Sequence, residues 1–149
     1  MDKKNIIDAS YSILNLKIDQ IKQAIEDSNS SLREDTKSSA GDKYETSREM
    51  IQQDLNRYEN QLQILKVDLE LLDRIAIQKE KFQVAAVGSI IKTDKAVYFI
   101  ATSIGQIQVD NQLIFSISSA SPIGKLLIGK KAGDILEFNG NKQIIHSVD

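Results

Sequence analysis

Residues 38–48 read SSAGDKYETSR, and the fold turns on this stretch. Gly41 is followed by two carboxylates three residues apart, Asp42 and Glu45. Upstream, apolar residues fall at Ile7, Tyr11, Leu14, Ile18, Ile21 and Ile25, and then, past a polar Ser28, at Leu32. Downstream they fall at Ile51, Leu55, Tyr58, Leu62, Leu65, Leu69 and Leu72. Both runs step alternately by four and three, the a/d spacing of a coiled-coil seam. Folding one run back on the other sets Leu32 against Ile51, Ile25 against Tyr58, Ile21 against Leu62, Ile18 against Leu65, Leu14 against Leu69 and Tyr11 against Leu72. Each pair of numbers adds to 83, which centres an antiparallel hairpin between Gly41 and Asp42. The reading places two acids at the end of a long helical rod.

The first helix is expected from Lys4 to about Lys37, its seam spanning about 38 Å at 1.5 Å per residue. Ser28, Asn29, Ser30 and Ser31 are poor helix formers, so its last turns are the weaker ones. Gly41 suits the reversal, and the second helix is expected from Asp42 to about Lys79. One buried stripe per helix leaves little surplus over the entropy of ordering the chain, so the hairpin needs a base to dock on.

After Phe82 the pattern changes to β-branched runs that alternate. Strands are expected at Gln83–Ile91, Ala96–Ala101, Gln112–Ser118, Asp134–Phe138 and Gln143–Ser147, with turns at 93–95 and 139–141. Ser121 followed by Pro122 reads as an N-cap with proline at N1, starting a short helix that Gly129 ends. The expectation is an α+β protein: a coiled-coil hairpin over residues 1–80, then a small antiparallel-sheet domain with one short helix over residues 81–149.

Composition removes several function classes. The 149 residues contain no cysteine and a single histidine, His146, so thiolate and histidine-cluster metal sites and an ordinary Ser-His-Asp triad are out of reach. No apolar run approaches a membrane span, and MDKKNIIDAS lacks the apolar core of a signal peptide; a cytoplasmic protein without a membrane is expected. The net charge of -2 gives no whole-molecule attraction for nucleic acid.

Asp42 and Glu45 admit two readings. Asp-x-x-Glu at a helix start is a capping box. The same pair can be part of a Mg²⁺ site, because that ion is commonly held by one or two carboxylates with water and substrate phosphates. Two exposed acids do not hold it tightly alone; a partner would complete the site. Arg33, Lys37, Lys43 and Arg48 flank the acids, either as a solvated charged surface balanced by Glu34, Asp35, Asp42 and Glu45 or as groups that steer a phosphate backbone. Tyr11 and Tyr58 belong to the seam, and His146 to a strand at a domain face.

The segment Ile117–Asp134, ISSASPIGKLLIGKKAGD, resembles the C-terminal signature of the Gre family of bacterial transcription elongation factors, through Ser121, Pro122, Gly124, Leu127, Gly129, Lys130, Gly133 and Asp134. Gly41, Asp42 and Glu45 match the G-D-x-x-E of that family's tip, while Thr46-Ser47-Arg48-Glu49 stands where the family has N-A-E-Y. The resemblance implies an FKBP-like second domain and a protein that enters the secondary channel of RNA polymerase. It implies that Asp42 and Glu45 help to hold a Mg²⁺ shared with the polymerase. The polymerase then cleaves its own backtracked transcript near the nascent RNA 3′ end, so the factor is not an enzyme by itself. Ser121, Pro122 and Gly124 would lie in the polymerase-docking part of the globule. Two other functions are open: a channel-occupying inhibitor without cleavage, and a coiled-coil assembly module whose heptads pair between chains. The common register argues for an intramolecular hairpin and a monomer.

Overall fold

The computed structural model describes residues 2–35 and 41–149. The elements in order are α1 (Lys3–Asp35), α2 (Gly41–Ala76), β1 (Ile90–Thr93), β2 (Val97–Ile100), β3 (Gly105–Val109), β4 (Gln112–Ile117), α3 (Pro122–Leu127), β5 (Ile135–Phe138) and β6 (Asn141–Val148). This is the expected α+β class. Contacts divide the chain into two compact units, Met1–Ile13 with Leu69–Asp149, and Leu14–Asp68. The first turns of α1 and the last of α2 are thus grouped with the sheet, whereas the sequence reading drew its division at residue 80, just past the end of α2.

Within the unit Leu14–Asp68, the heptad positions are the protected ones. Leu14, Ile18 and Leu55 are buried, and Ile21, Ile25, Ile51, Tyr58, Leu62 and Leu65 are half-buried, while most residues between them are exposed. Lys17 lies close enough to Asp68 to act on its charge, and a concavity is lined by Lys17, Gln20 and Ile21 from α1 with Gln61, Ile64 and Leu65 from α2. Rising numbers on one helix meet falling numbers on the other, so the two run antiparallel, the sense that the seam predicts. In the other unit the same antiparallel sense holds: the Tyr11 hydroxyl donates to the Asp73 carboxylate.

The six strands are ordered β3-β4-β2-β1-β6-β5. All neighbours are antiparallel except β2 and β4, which run parallel with Tyr98 opposite Phe115 and Ile100 opposite Ile117. Side chains alternate faces along a strand. On one face Ile91, Tyr98, Ile100, Leu136 and Ile145 pack with Ile123 and Leu127 of α3. On the other, Ile90, Val97, Phe99, Ile107 and Ile114 are buried, and the same unit contributes buried Ile6, Leu72 and Ile75 from the helix bases. Asn5 Nδ2 reaches Asp110 Oδ2 at 3.5 Å, which ties the start of α1 to the β3–β4 turn. Gln143, buried on the α3 side, accepts from Thr93 Oγ1 at 2.7 Å and exchanges hydrogen bonds with the Tyr98 hydroxyl.

Three expectations are corrected. Gln83–Ile91 is not one strand. Only Val84 makes an isolated bridge, to Lys131, before the chain turns through Gly88 at φ 95° and enters β1 at Ile90. Its hydrogen bonds go elsewhere: Ala85 N–H donates to the Lys130 carbonyl at 2.7 Å and Gly129 N–H to Ala85 at 2.8 Å. Second, Gly105–Val109 is a strand that the reading left out, joined to β4 by Asp110 and Asn111 at φ 51° and 60°. That is the left-handed pair of a two-residue hairpin turn. Third, Gly41 is the first residue of α2 rather than part of the reversal; a glycine costs little at a helix start, where its amide has no intrahelical partner in any case.

Candidate functional site

The residues singled out at the helix ends start from α2. Glu45 lies one turn into this helix and is exposed. Glu45, Arg48, Glu49 and Gln52 line a shallow concavity of about 330 Å³, since residues three and four apart share a helix face. On α1, Arg33 extends back along its own helix: its Nη2 donates to Ser30 Oγ at 3.0 Å and lies 3.5 Å from Glu26 Oε1. Lys37 lies outside the described residues, and so do the side chains of Asp42 and Lys43; with Asp42 goes the capping box. The backbone of Asp42 is the second residue of α2.

Among the described residues no three His, Cys, Asp or Glu side chains converge as a metal site. Near the start of α2 the described surface offers a cation the exposed Glu45 carboxylate, with Glu49 on the same concavity. Such oxygen donors suit a hard ion such as Mg²⁺, which accepts one or two carboxylates and fills its remaining positions with water or a second molecule's oxygens.

The second candidate region surrounds α3. Ser121 is its N-cap, at φ −66° and ψ 157°, and its Oγ accepts from Gly124 N–H at 3.1 Å. The same hydroxyl donates to the Ser118 carbonyl at 2.7 Å, and Ser118 Oγ accepts from Ser121 N–H at 3.1 Å. Pro122 occupies N1, where its missing amide costs nothing. Gly124 is buried, and a Cβ there would lie 2.1 Å from the Ser118 carbonyl oxygen and 2.9 Å from Ser121 Oγ. Further along, Gly129 and Gly133 take φ 86° and 91°, and Asp134 Oδ2 accepts from Lys131 N–H at 2.9 Å.

The residues of the segment 117–134 therefore have backbone work to do. They cap a helix, admit a carbonyl, and turn the chain where a side chain would strain it. Of the docking candidates Ser121, Pro122 and Gly124, only Pro122 is exposed. Beside it lies a concavity of about 490 Å³ lined by Ala86, Val87, Ser119, Lys125 and Ile128. The sequence reading did not name Lys125 or Ile128. Their signal was the exposed side of a six-residue helix whose other side carries Ile123 and Leu127.

Tyr11 is half-buried, and the hydrogen bond to Asp73 pushes its hydroxyl pKa up to about 12. Tyr58, also on the seam, carries the Arg57 guanidinium 5.1 Å from its ring centre. His146 is exposed on β6. Among the described residues no helix is long and apolar enough to cross a membrane.

Fold and site together define an α+β protein with an antiparallel pair of long helices, an exposed acid one turn into the second of them, and a short capped helix packed on a six-stranded sheet. No protein-family model matches the chain, and no curated protein matches it in sequence.

Proposed function

We propose that this protein is a cytoplasmic, monomeric factor that enters the secondary channel of RNA polymerase and stimulates cleavage of backtracked RNA, in the manner of the Gre factors its sequence resembles. The observation that carries the reading is the exposed Glu45 carboxylate at the start of the second of two antiparallel helices, in the G-D-x-x-E context that includes Asp42. An acid that made its own closed metal cage would be buried among further ligands; this one is left for a partner. The shared Mg²⁺, when bound, supplies a Lewis acid and lowers the pKa of a bound water. Asp42 and Glu45 would hold that ion jointly with the polymerase, and some of the flanking basic residues Arg33, Lys37, Lys43 and Arg48 would steer the transcript's phosphate backbone toward it near the nascent RNA 3′ end. Ser121, Pro122 and Gly124 shape the docking end of an FKBP-like globule, with Pro122 making the contact and the other two fixing its backbone. The hydrolysis remains the polymerase's reaction, so the chain is not an enzyme by itself.

The departure Thr46-Ser47-Arg48 from the family's tip favours a second reading, in which the protein occupies the channel and slows synthesis without cleavage. One experiment separates the two. Stalled, backtracked polymerase complexes with labelled RNA are incubated with the wild type and with Asp42→Asn/Glu45→Gln. Short 3′ fragments released by the wild type and lost by at least tenfold in the variant support the first reading. Slowed synthesis without fragments supports the second, and equal cleavage by both proteins removes the acids from the mechanism.

A further inference from the structure

The β5–β6 hairpin forms one border of the sheet and carries an apolar pair that the rest of the fold leaves uncovered. Ile135 and Ile144 are directly opposite each other, and they are 60 % and 44 % exposed. They lie on the face away from α3, because Leu136 and Ile145, their neighbours in sequence, pack with α3. The next row on the same face pairs Glu137 with Lys142.

The hydrogen-bond register shows which way the backbone of β5 points. Ile144 N–H donates to Asp94 Oδ1 at 2.9 Å and its carbonyl accepts from Asp94 N–H at 3.1 Å. Ile144 thus spends both groups on the β1 side, and its pairing with Ile135 is of the non-hydrogen-bonded kind. Ile145 N–H, one residue on, donates to the Asp134 carbonyl at 2.9 Å. The amide and carbonyl of Ile135 therefore face away from β6, and two residues on those of Glu137 do the same. Among the described residues no other backbone group bonds to them. The border presents two residues with outward backbone groups, one with an apolar side chain and one with an acid, both on the uncovered face.

We propose that β5 is a docking edge for an extended segment of a partner protein, added antiparallel to Ile135–Phe138, that carries a basic residue opposite Glu137 and an apolar residue opposite Ile135. Read along the partner, the pattern is basic-x-apolar. It continues the row Lys142–Glu137 with alternating charge and the row Ile144–Ile135 with apolar contact, while the main chain supplies hydrogen bonds. A second copy of this strand fits badly. Antiparallel self-pairing keeps each residue on its own face, so it sets Ile135 against Glu137, Glu137 against Glu137, or Ile135 against Ile135. The first wastes the apolar contact, the second opposes like charges, and the third brings only one residue of the strand into the pairing, since Ile135 is where β5 begins.

The test uses the full ¹⁵N-labelled chain and two synthetic peptides, Ser-Thr-Lys-Thr-Ile-Thr-Thr-Ser and the same peptide with Glu for Lys. The lysine peptide is expected to shift the Ile135 and Glu137 amides, slow their hydrogen exchange, and bind about fivefold more tightly than the glutamate peptide, the size of one favourable cross-strand charge pair exchanged for an unfavourable one. Glu137→Lys, a change at an exposed position, is expected to reverse that order. Three results overturn the proposal: both amides unmoved at millimolar lysine peptide, an order of preference that Glu137→Lys leaves unchanged, or concentration-dependent shifts of the same amides without peptide, which would assign the edge to a second copy.

Discussion

Gly124→Ala is a substitution for which two physical effects have opposite signs and the geometry decides between them. Gly124 is the third residue of α3, and its backbone is not in the left-handed region. By helix propensity alone, alanine there gains about 1 kcal/mol. Against that, the added methyl would stand 2.1 Å from the Ser118 carbonyl oxygen, about 1 Å inside any real contact. That oxygen belongs to the backbone and accepts from Ser121 N–H at 3.2 Å and Ser121 Oγ at 2.7 Å, so it cannot swing aside as a side chain would. Relief requires α3 to move away from the Ser118–Ser121 turn. The cap from Ser121 is then lost, at about 1 kcal/mol, and Ile123 and Leu127 shift in the core, at a further 1–3 kcal/mol typical of overpacking. The net expectation is a destabilisation of about 1–3 kcal/mol. With a urea dependence of about 2 kcal/mol per molar, the unfolding midpoint should fall by roughly 0.5–1.5 M, followed by circular dichroism and tyrosine fluorescence. A midpoint equal to or above that of the wild type would show that propensity outweighs the contact, and the close approach of α3 to Ser118 would have to be abandoned.

Two further outcomes follow from the paired helices. Tyr11→Phe removes the hydroxyl that donates to Asp73 and should cost about 1 kcal/mol, as one hydrogen bond does. Because the folded-state pKa of Tyr11 is raised to about 12, the wild type's advantage should be complete below about pH 10, the value for a free tyrosine, and disappear as the pH rises through about 12. Urea midpoints of both proteins across that range measure it. Asp68 is shifted upward because burial disfavours its charge, with Lys17 pulling the other way. Protonation of Asp68 therefore favours the fold, and its ionised form is the costly one. Asp68→Asn should raise the midpoint near pH 7, with the gain over wild type vanishing as the pH falls through the carboxylate range.

The helices were legible because their signal is long. Twelve heptad positions, in six pairs, agree on one register, and no short-range preference competes with that many spacings. The hairpins at 93–97 and 138–141 were legible from turn chemistry. β3 was missed because Gln106 and Gln108 leave only Ile107 and Val109 as apolar residues, although Asp110-Asn111 marked a tight turn after it. The segment from Gln83 was over-read because Val84, Ala85, Ala86 and Val87 satisfy strand composition, while its partner, the Lys130–Lys131 stretch, belongs to a loop that composition does not reveal. The parallel β2–β4 pairing was not legible at all, because β3 separates the two in sequence. Of the candidate site, the cap at Ser121 could be read from the residues alone. The exposed pair on the hairpin had a sequence mark too: Ile135-Leu136 and Ile144-Ile145 are apolar doublets, and in a strand one member of each doublet must face away from the core.

The strand order also bears on how the sheet assembles. β1–β2, β3–β4 and β5–β6 are each closed by a turn of a few residues and can zip up locally. They are joined by two seams, β2 with β4 and β1 with β6, and the second pairs Ile91 with Val148 across more than fifty intervening residues. Microseconds suffice for each ribbon, whereas the slow event is the search that brings the third ribbon alongside the first. Lengthening the connection through α3 should therefore slow folding while leaving equilibrium stability nearly unchanged, since loop entropy grows only logarithmically with length. In concentrated solution the same late seam is where one molecule could lend its final ribbon to another.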